Sequence, residues 1–131
     1  MRYLLDANAV IRLLNNSSPN LARRARREAP KDVAISAIVA HELFYGAFRS
    51  RHAEANLARI DALRFQIVEF DMEDARQAGE MRALLAAQGM PIGPYDVLIA
   101  GQAAARNVLL VTANTSEFGR VPKLRIENWE I

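Results

Sequence analysis

Short apolar runs alternate with helical patterns along the whole sequence of 131 residues. The run at Tyr3–Leu5 leads into a helical segment, and the run at 108–111 follows a longer helical segment that begins at Pro94. Strands that alternate with helices favour a mostly parallel sheet with helices on both faces. We therefore expect an α/β fold with a central sheet of about four to five strands, formed by a single domain that spans residues 1–131.

Capping and helix-breaking residues set the expected limits of these elements. Ser36 and Asp71 are placed to cap helices, and Gly89 suits the left-handed residue that ends one. Pro30 should end the second helix, because a proline disfavours helical backbone at the residue before it. The expected strands are 3–5, 33–35, 66–70, 108–111 and 124–126, and the expected helices are 9–14, 20–28, 37–48, 53–63, 72–88, 94–106 and one turn at 114–118.

The composition excludes several classes of protein. The chain has no cysteine, which rules out a disulfide framework and a thiolate metal site. No apolar run approaches the roughly 20 residues of a membrane span, and the N-terminus lacks the pattern of a signal peptide. These observations predict a cytoplasmic protein with no membrane partner.

The positive charge is concentrated in one half of the chain. The formal net charge is +2, but residues 1–64 carry an excess of basic side chains and residues 65–131 an excess of acidic ones. Most of the basic residues are arginines, which pair bidentately with phosphate, so the pattern favours a polyanionic partner. The alternative is that these arginines are ordinary solvated cations.

Asp6 is the first candidate site residue. In parallel α/β sheets, ligands bind outside the carboxyl ends of the strands. Asp6 directly follows the first predicted strand and opens a helix. The structural alternative is that its side chain only caps this helix.

Glu42 and Asp96 are acids in apolar surroundings. Glu42 has Ile38 and Val39 one turn before it, and Asp96 shares a helix stripe with Ile99. An ionised carboxylate on an inward face is costly unless it is paired or bound to a metal. The alternatives are a buried ion pair with arginine for Glu42 and an interaction with the helix dipole for Asp96. If the acids face one another, burial and repulsion should raise the pKa of Glu42.

Asn114 and Glu117 follow the fourth predicted strand. Their three-residue spacing matches a capping box, which is the structural alternative to a role in a site. His41 and His52, the two histidines, are interpreted as surface or packing residues. The candidate ligands are therefore all oxygens.

An all-oxygen set of acids suits a hard divalent ion such as Mg²⁺ or Mn²⁺, and such clusters serve phosphodiester hydrolysis. Other chemistries lack their motifs, because the sequence contains no GxxxxGK[ST], GxGxxG or GxSxG segment. A phosphatase with a DxD motif would need an acid where Asn8 stands. A phosphoacceptor receiver domain would need an acid pair and a lysine after a later strand, and neither is present.

Four segments, in their order and spacing, resemble the PIN-domain ribonucleases, specifically the VapC toxins of type II toxin–antitoxin systems. The resemblance covers essentially the whole chain. The segments are Tyr3–Asn8, Ile35-Ser36 with His41–Gly46, Pro91–Ala100, and Val111–Val121.

This resemblance implies a small PIN-like α/β/α sandwich, usually a homodimer, with an acidic pocket that depends on Mg²⁺ or Mn²⁺. It implies hydrolysis of RNA by a metal-activated water, leaving a 5′-phosphate and a 3′-hydroxyl. The implied partner is a VapB-type antitoxin, whose tail blocks the pocket and whose other end binds operator DNA. The implied outcome is inhibition of translation and growth.

By position, Asp6, Glu42 and Asp96 resemble the catalytic, metal-binding acids of the family. Asp6 and Asp96 would be direct ligands, and Glu42 a ligand or an orienting group. The resemblance also assigns supporting roles around these acids, to Asn8, Thr112, Asn114 and Glu117. The basic run is a candidate contact for RNA or for the antitoxin, or else a solvated helix face, and consists of Arg23, Arg24, Arg26 and Arg27.

Two positions depart from the family pattern. Ala7 stands where Thr or Ser is common, and Asn114 where many relatives carry a fourth acid, which should weaken a second metal ion unless Glu117 replaces it. These departures support the alternative of a catalytically weakened PIN-fold module that binds RNA or a partner. The segments 93–96 and 114–118 nevertheless resemble a subgroup that cuts initiator tRNA, so this tRNA is the candidate substrate.

Overall fold

The computed structural model describes residues 1–131 and contains five strands and seven helices. The strands are β1 (Tyr3–Leu5), β2 (Val33–Ser36), β3 (Gln66–Val68), β4 (Leu109–Val111) and β5 (Ile126–Glu127). The helices are α1 (Ala7–Leu14), α2 (Pro19–Arg27), α3 (Ala37–Arg49), α4 (Ala53–Asp61), α5 (Met72–Ala87), α6 (Pro94–Ala105) and α7 (Thr115–Phe118), with a 3₁₀ turn at Pro30–Asp32.

All five strands run parallel, in the order β3-β2-β1-β4-β5. In the centre of the sheet, Leu5 of β1 is paired with Ile35 on one side and with Val111 on the other. The chain changes direction across the sheet after β3, so right-handed crossovers place α1–α4 on one face and α5 and α6 on the other. The expected α/β fold with a parallel sheet of four to five strands is confirmed.

The point between β1 and β4 is the topological switch point of this sheet. Connections on the two sides of it leave in opposite directions, which opens a crevice at the carboxyl ends of the two strands. Asp6 follows β1 and Thr112 follows β4, so both lie at this crevice. The centres of the two strands are fully buried, with Leu4 and Leu110 both at 0% exposure.

Several predicted boundary residues have the predicted roles. The side chain of Ser36 accepts a hydrogen bond from the backbone N–H of Ile38 and caps α3. Asp71 caps α5 in a capping box with Asp74. Gly89, with φ of +68°, follows this helix in the left-handed conformation that glycine adopts without strain.

The last strand was predicted too early in the chain. The sequence pattern placed it at 124–126, whereas β5 covers Ile126–Glu127. The reason is the register with β4, which pairs Leu110 with Ile126 and Val111 with Glu127. Shifts of one to two residues also affect the ends of other elements, as is usual for helix and strand termini.

Helices α5 and α6 pack closely against each other. A Cβ atom at Gly101 would lie 2.5 Å from the backbone of Ala78, so only glycine permits this approach. Beside this contact, Asp74, Gln102 and Arg106 form a hydrogen-bonded group that joins the two helices. None of the helices is both long and apolar enough to cross a lipid bilayer.

Candidate active site

Asp6 is buried at the carboxyl end of β1, with 4% of its surface exposed. Its Oδ1 accepts a hydrogen bond of 2.8 Å from the backbone N–H of Ala9, and it also accepts one from the Thr112 hydroxyl. The capping role is therefore real, but it does not exclude a role in the site. Burial raises the pKa of Asp6, and these hydrogen bonds oppose the shift.

Thr112 supports Asp6 from the neighbouring strand. It follows β4 and is 1% exposed. Its Oγ1 accepts a hydrogen bond of 2.9 Å from the backbone N–H of Asn114 while its hydroxyl reaches Asp6. The structure thus places Thr112 beside Asp6, one of the acids around which the family resemblance gives it a supporting role.

Glu42 lies partly buried on α3 and has no cationic partner. Its Oε1 is buried and makes no hydrogen bond. Burial, followed by the charges of Asp96 and Asp6, raises the pKa of Glu42 to about 6. The raised pKa predicted from the sequence is confirmed, and the alternative of a buried ion pair with arginine is wrong.

Asp96 lies partly buried in the first turn of α6. Burial raises the pKa of Asp96 to about 6, with further contributions from the charges of Glu117 and Asp6. Asp96 and Glu42 are therefore acids that resist ionisation, even though the N-terminus of a helix favours a negative charge. A Cβ at Gly93 would come within 3.2 Å of Asp96 Oδ2, so the glycine leaves room around this carboxylate.

Glu117 is a further acid at the edge of this group. It accepts hydrogen bonds from the backbone N–H of Gly93 at 2.8 Å and from Asn114 Nδ2 at 3.0 Å. These donors lower the pKa of Glu117, so it stays charged beside Asp96. The predicted capping box is wrong, because the Asn114 side chain makes no capping bond to α7 and binds Glu117 instead.

The remaining predicted residues lie further out. Asn8 is exposed in the first turn of α1, and its amide makes no hydrogen bond to the acids. His41 is exposed, with its ring 5.5 Å from that of Tyr95, and His52 is an exposed residue at the start of α4. The arginines of the basic run, at positions 23, 24, 26 and 27, all belong to α2.

Two features near the acids carry no recognisable sequence signal. Arg12 on α1 forms an ion pair with Glu130 at 3.2 Å, and both charges act on the pKa of Asp6. Arg59 of α4 lines a cleft beside Glu42 and donates a hydrogen bond to the backbone oxygen of Leu14. Both contacts join residues that are distant in the chain, so no local pattern predicts them.

The donor set fits a hard divalent cation. Asp6, Glu42 and Asp96 supply only carboxylate oxygens, which Mg²⁺ and Mn²⁺ prefer, and one Glu42 oxygen lacks any partner. No three His, Asp or Glu side chains are close enough to form a preassembled metal-binding cluster. Carboxylates that repel one another are not expected to close into such a cluster until a cation offsets their charge.

Comparisons with known proteins agree with this geometry. The PIN domain family matches residues 3–124. Two relatives named tRNA(fMet)-specific endonuclease VapC, from Shigella flexneri and Salmonella typhimurium, are 39% and 37% identical, and each alignment covers 98% of this chain and 98% of the relative. The crystal structure of DNA-bound VapBC from Salmonella typhimurium has a TM-score of 0.94 at 37% identity, covering 98% of both chains. The chain therefore belongs to the PIN domain family and groups there with the VapC ribonucleases.

Proposed function

We propose that this protein is a metal-dependent endoribonuclease toxin of a type II toxin–antitoxin system, acting as one PIN domain over residues 1–131. The observation that carries the proposal is the group of Asp6, Glu42 and Asp96. Burial raises the pKa of all three, the charge of Asp6 adds to the shifts of Glu42 and Asp96, and a buried Glu42 oxygen has no partner. Such a group is unfavourable for the fold alone and is useful when a divalent cation binds.

The residues of the acidic site have separate roles in this proposal. Asp6 and Asp96 bind the ion, with Mg²⁺ or Mn²⁺ as the candidates, and Glu42 either binds it or orients a ligand. When bound, the ion supplies Lewis acidity and a water of lowered pKa. Thr112 and the Ala9 N–H hold Asp6 in place.

Four neighbouring residues support the site without contributing the main ligands. Asn114 and Gly93 hold Glu117 as a charged group next to Asp96. Glu117 is therefore the residue available to replace the family's fourth acid, and Asn114 acts through it. Asn8 stays an outer supporting residue in the proposal, because its exposed amide lies two residues after Asp6, in the first turn of α1.

Replacement of one acid tests the nuclease proposal. Asp96→Asn keeps the size of the side chain but removes its charge, so RNA cleavage in Mg²⁺ or Mn²⁺ should fall at least about 100-fold. EDTA should abolish cleavage by the wild type. Glu80→Gln is the matched control, because Glu80 is an exposed acid of α5 without an ion pair. Wild-type cleavage by Asp96→Asn would place the active site elsewhere.

The alternative function is a PIN-fold module that binds RNA or a partner with weakened catalysis. Ala7 and Asn114 favour it, since both replace polar or acidic groups of the family pattern. The nuclease proposal fits better, because relatives over the whole length are named endonucleases or ribonucleases. RNA binding by the wild type without any metal-dependent product would support the alternative.

Initiator tRNA is the proposed substrate, and the cytoplasm the proposed location. Two relatives at 37% and 39% identity carry the name tRNA(fMet)-specific endonuclease. The loop and helix start at Gly93–Asp96 border the acids, so the segments that resemble the tRNA-cutting subgroup lie at the site itself. Sequencing of RNA 5′ ends after induced expression should show new ends in initiator tRNA, and ends in mRNA alone would contradict this substrate.

A VapB-type antitoxin is the proposed protein partner, with operator DNA bound only through the antitoxin. A VapBC complex bound to DNA is among the similar structures. Beside Glu42 lies an open cleft of about 220 Å³ with apolar walls that include Ile11, Leu43 and Ile60. Such a cleft suits an apolar segment with a cationic side chain that pairs with Glu42.

Filling the cleft tests this contact. Gly46 lines the cleft, and a side chain there would meet open space. Gly46→Leu should therefore weaken neutralisation by the co-expressed antitoxin at least tenfold while RNA cleavage persists. The matched control is Gly79→Leu on α5, where a side chain also meets open space away from the cleft. Unchanged neutralisation of Gly46→Leu would contradict the proposed contact.

A homodimer is the proposed assembly. Phe44, Tyr45 and Phe48 of α3, at 37%, 58% and 69% exposure, lie in a row along the helix. Tyr95, at 46%, extends this row, because its ring lies 5.5 Å from that of His41, one turn before Tyr45. All the strongly exposed aromatic side chains of the protein belong to this row, and such patches mark interaction surfaces. Light scattering should show a dimer that Phe48→Glu converts to a monomer; a monomeric wild type at micromolar concentration would contradict the proposal.

A further inference from the structure

The arginines of α2 divide into two classes in the structure. Arg24 forms ion pairs of 2.9 Å with both Glu28 and Glu127, and it stacks 4.8 Å above the Trp129 ring. This side chain therefore joins α2 to the end of the sheet. Arg23 and Arg27 are exposed and form no ion pair. Their one hydrogen bond within the protein runs from Arg23 Nη1 to Asn20 Oδ1, at 3.3 Å, so neither charge is neutralised by the fold.

Arg23 and Arg27 border the same open cavity of about 190 Å³. Residues four apart on a helix are neighbours on one face, so the two guanidinium groups can approach one ligand together. The other polar walls of the cavity are Asn20, Asn128 and the ion-paired Arg24, and no acidic side chain lines it. A concave surface with two unpaired guanidinium groups and two amides is suited to a phosphate.

The walls of this cavity are held by their own contacts. Asn20 Nδ2 donates to the backbone oxygen of Glu130 at 3.3 Å, and Asn128 Oδ1 accepts from the Glu130 N–H at 2.9 Å. The ring of Trp129 packs edge-on against Tyr3, with 4.9 Å between ring centroids. Because the walls are ordered before a ligand arrives, less conformational entropy is lost on binding.

The same C-terminal segment reaches the acids. Glu130 lies between cavity residues Trp129 and Ile131, and its side chain pairs with Arg12 of α1. Arg12 belongs to α1, the helix that Asp6 caps, so this ion pair links the cavity wall to the α1 side of the acidic site. A polyanionic chain can therefore contact both places along one surface.

We propose that Arg23 and Arg27 form a phosphate-binding pocket that holds the RNA backbone outside the cleavage site. This inference rests on the proposed ribonuclease function and specifies where the substrate is held. Arg24 is excluded from the contact because Glu28 and Glu127 already bind it. Arg26 is excluded as well, since it borders a different depression whose walls are mainly apolar.

The salt dependence of RNA binding tests the pocket. Binding of a labelled initiator tRNA transcript to the full protein is measured in EDTA, so that no metal-dependent cleavage occurs, at several salt concentrations. Arg23→Gln with Arg27→Gln should weaken binding about tenfold near physiological salt. It should also reduce the slope of log K against log salt by about 1, as expected for one lost phosphate contact.

Two matched variants show whether this effect belongs to the pocket. Arg76→Gln with Arg82→Gln removes the same charge from exposed positions of α5, and should change neither the affinity nor the slope. Arg23→Lys with Arg27→Lys should retain the slope, because the charge remains, and should lose part of the affinity with the bidentate geometry.

Several results would overturn the pocket. These are an unchanged slope in the Arg23 and Arg27 variant, an equal change in the α5 variant, or loss of antitoxin binding with RNA binding intact. The test also separates the two proposals. If the wild type shows no metal-dependent cleavage while its RNA binding still depends on Arg23 and Arg27, the nuclease proposal fails and the pocket stands.

Discussion

Two buried acids of this protein, Asp74 and Glu42, have opposite surroundings. Asp74 is 1% exposed, and its carboxylate binds Arg106 at 3.0 Å, Gln102 at 3.0 Å and the backbone N–H of Asp71 at 2.9 Å. Glu42 has a buried oxygen with no partner, and its charged neighbours are other acids. An acid that stabilises the fold is paired with a cationic side chain of the protein, whereas an acid of a binding site has no partner until a ligand binds.

In one of the two regions the surroundings favour the charged form of an ionisable group, and in the other they favour the neutral form. Hydrogen bonding to Asp74 raises the pKa of Arg106, so the ion pair there favours the charged forms. In the acidic site, burial and repulsion raise the pKa values of Glu42 and Asp96 to about 6, so the neutral forms are favoured. The first region should therefore contribute stability near neutral pH, and the second should reduce it until a cation binds.

The largest expected effect is the loss of the structural acid. Asp74→Ala leaves the Gln102 amide without its carboxylate and Arg106 with only the exposed Asp71, and should lower the free energy of unfolding by about 3–5 kcal/mol. Urea denaturation measures the change. Glu80→Ala on the same helix is the control and should stay within about 0.5 kcal/mol of the wild type. A loss below about 1 kcal/mol for Asp74→Ala would contradict the contrast between the regions.

A divalent ion should have the next largest effect, and it should act on the acidic site. Mn²⁺ at about 100 times its dissociation constant should raise the free energy of unfolding by about 2.7 kcal/mol. Thermal denaturation with and without Mn²⁺ measures this, with Asp96→Asn as the comparison that removes one proposed ligand. Equal stabilisation of Asp96→Asn and the wild type would show that the ion binds elsewhere.

The smallest expected effect is the removal of one repelled charge. Glu42→Gln should stabilise the metal-free protein at pH 7.5 by on the order of 1 kcal/mol, after allowance for partial exposure to solvent. The pKa of Glu42 is raised from 4.5 to about 6 in the folded state. The wild type should therefore lose stability as the pH rises from about 4.5 through 6, and the difference from Glu42→Gln should vanish near pH 4.

Asp74→Asn should change the free energy of unfolding in the opposite direction from Glu42→Gln. It removes a charge that is paired with Arg106, so it should destabilise the protein at pH 7.5 instead of stabilising it. Denaturation curves of both variants across pH 4–8 give the two signs in one experiment. A destabilising Glu42→Gln at pH 7.5 would mean that Glu42 has a favourable partner in solution.

Much of the fold and of the site follows from local patterns. The alternation of strands and helices predicts the parallel sheet, and Ser36 and Asp71 predict their caps, because these signals depend on neighbours in the chain. The position of Asp6 after β1 and the apolar stripe around Glu42 also predict acids near one crevice. The capping box at Asn114 fails because Gly93, distant in the chain, competes for the Glu117 carboxylate.

The sequence by itself therefore determined that Asp6 follows a strand and that Glu42 and Asp96 lie on inward helix faces, but it did not identify the buried Asp74. Only the tertiary structure decided which acidic side chains form an ion pair with a cationic one. Asp74 forms an ion pair with Arg106 because α5 packs on α6, and Glu127 of β5 forms one with Arg24. Glu42 forms no ion pair. Ion pairs form through space between distant parts of the chain, so their partners are set by the packing of helices on the sheet and not by local pattern.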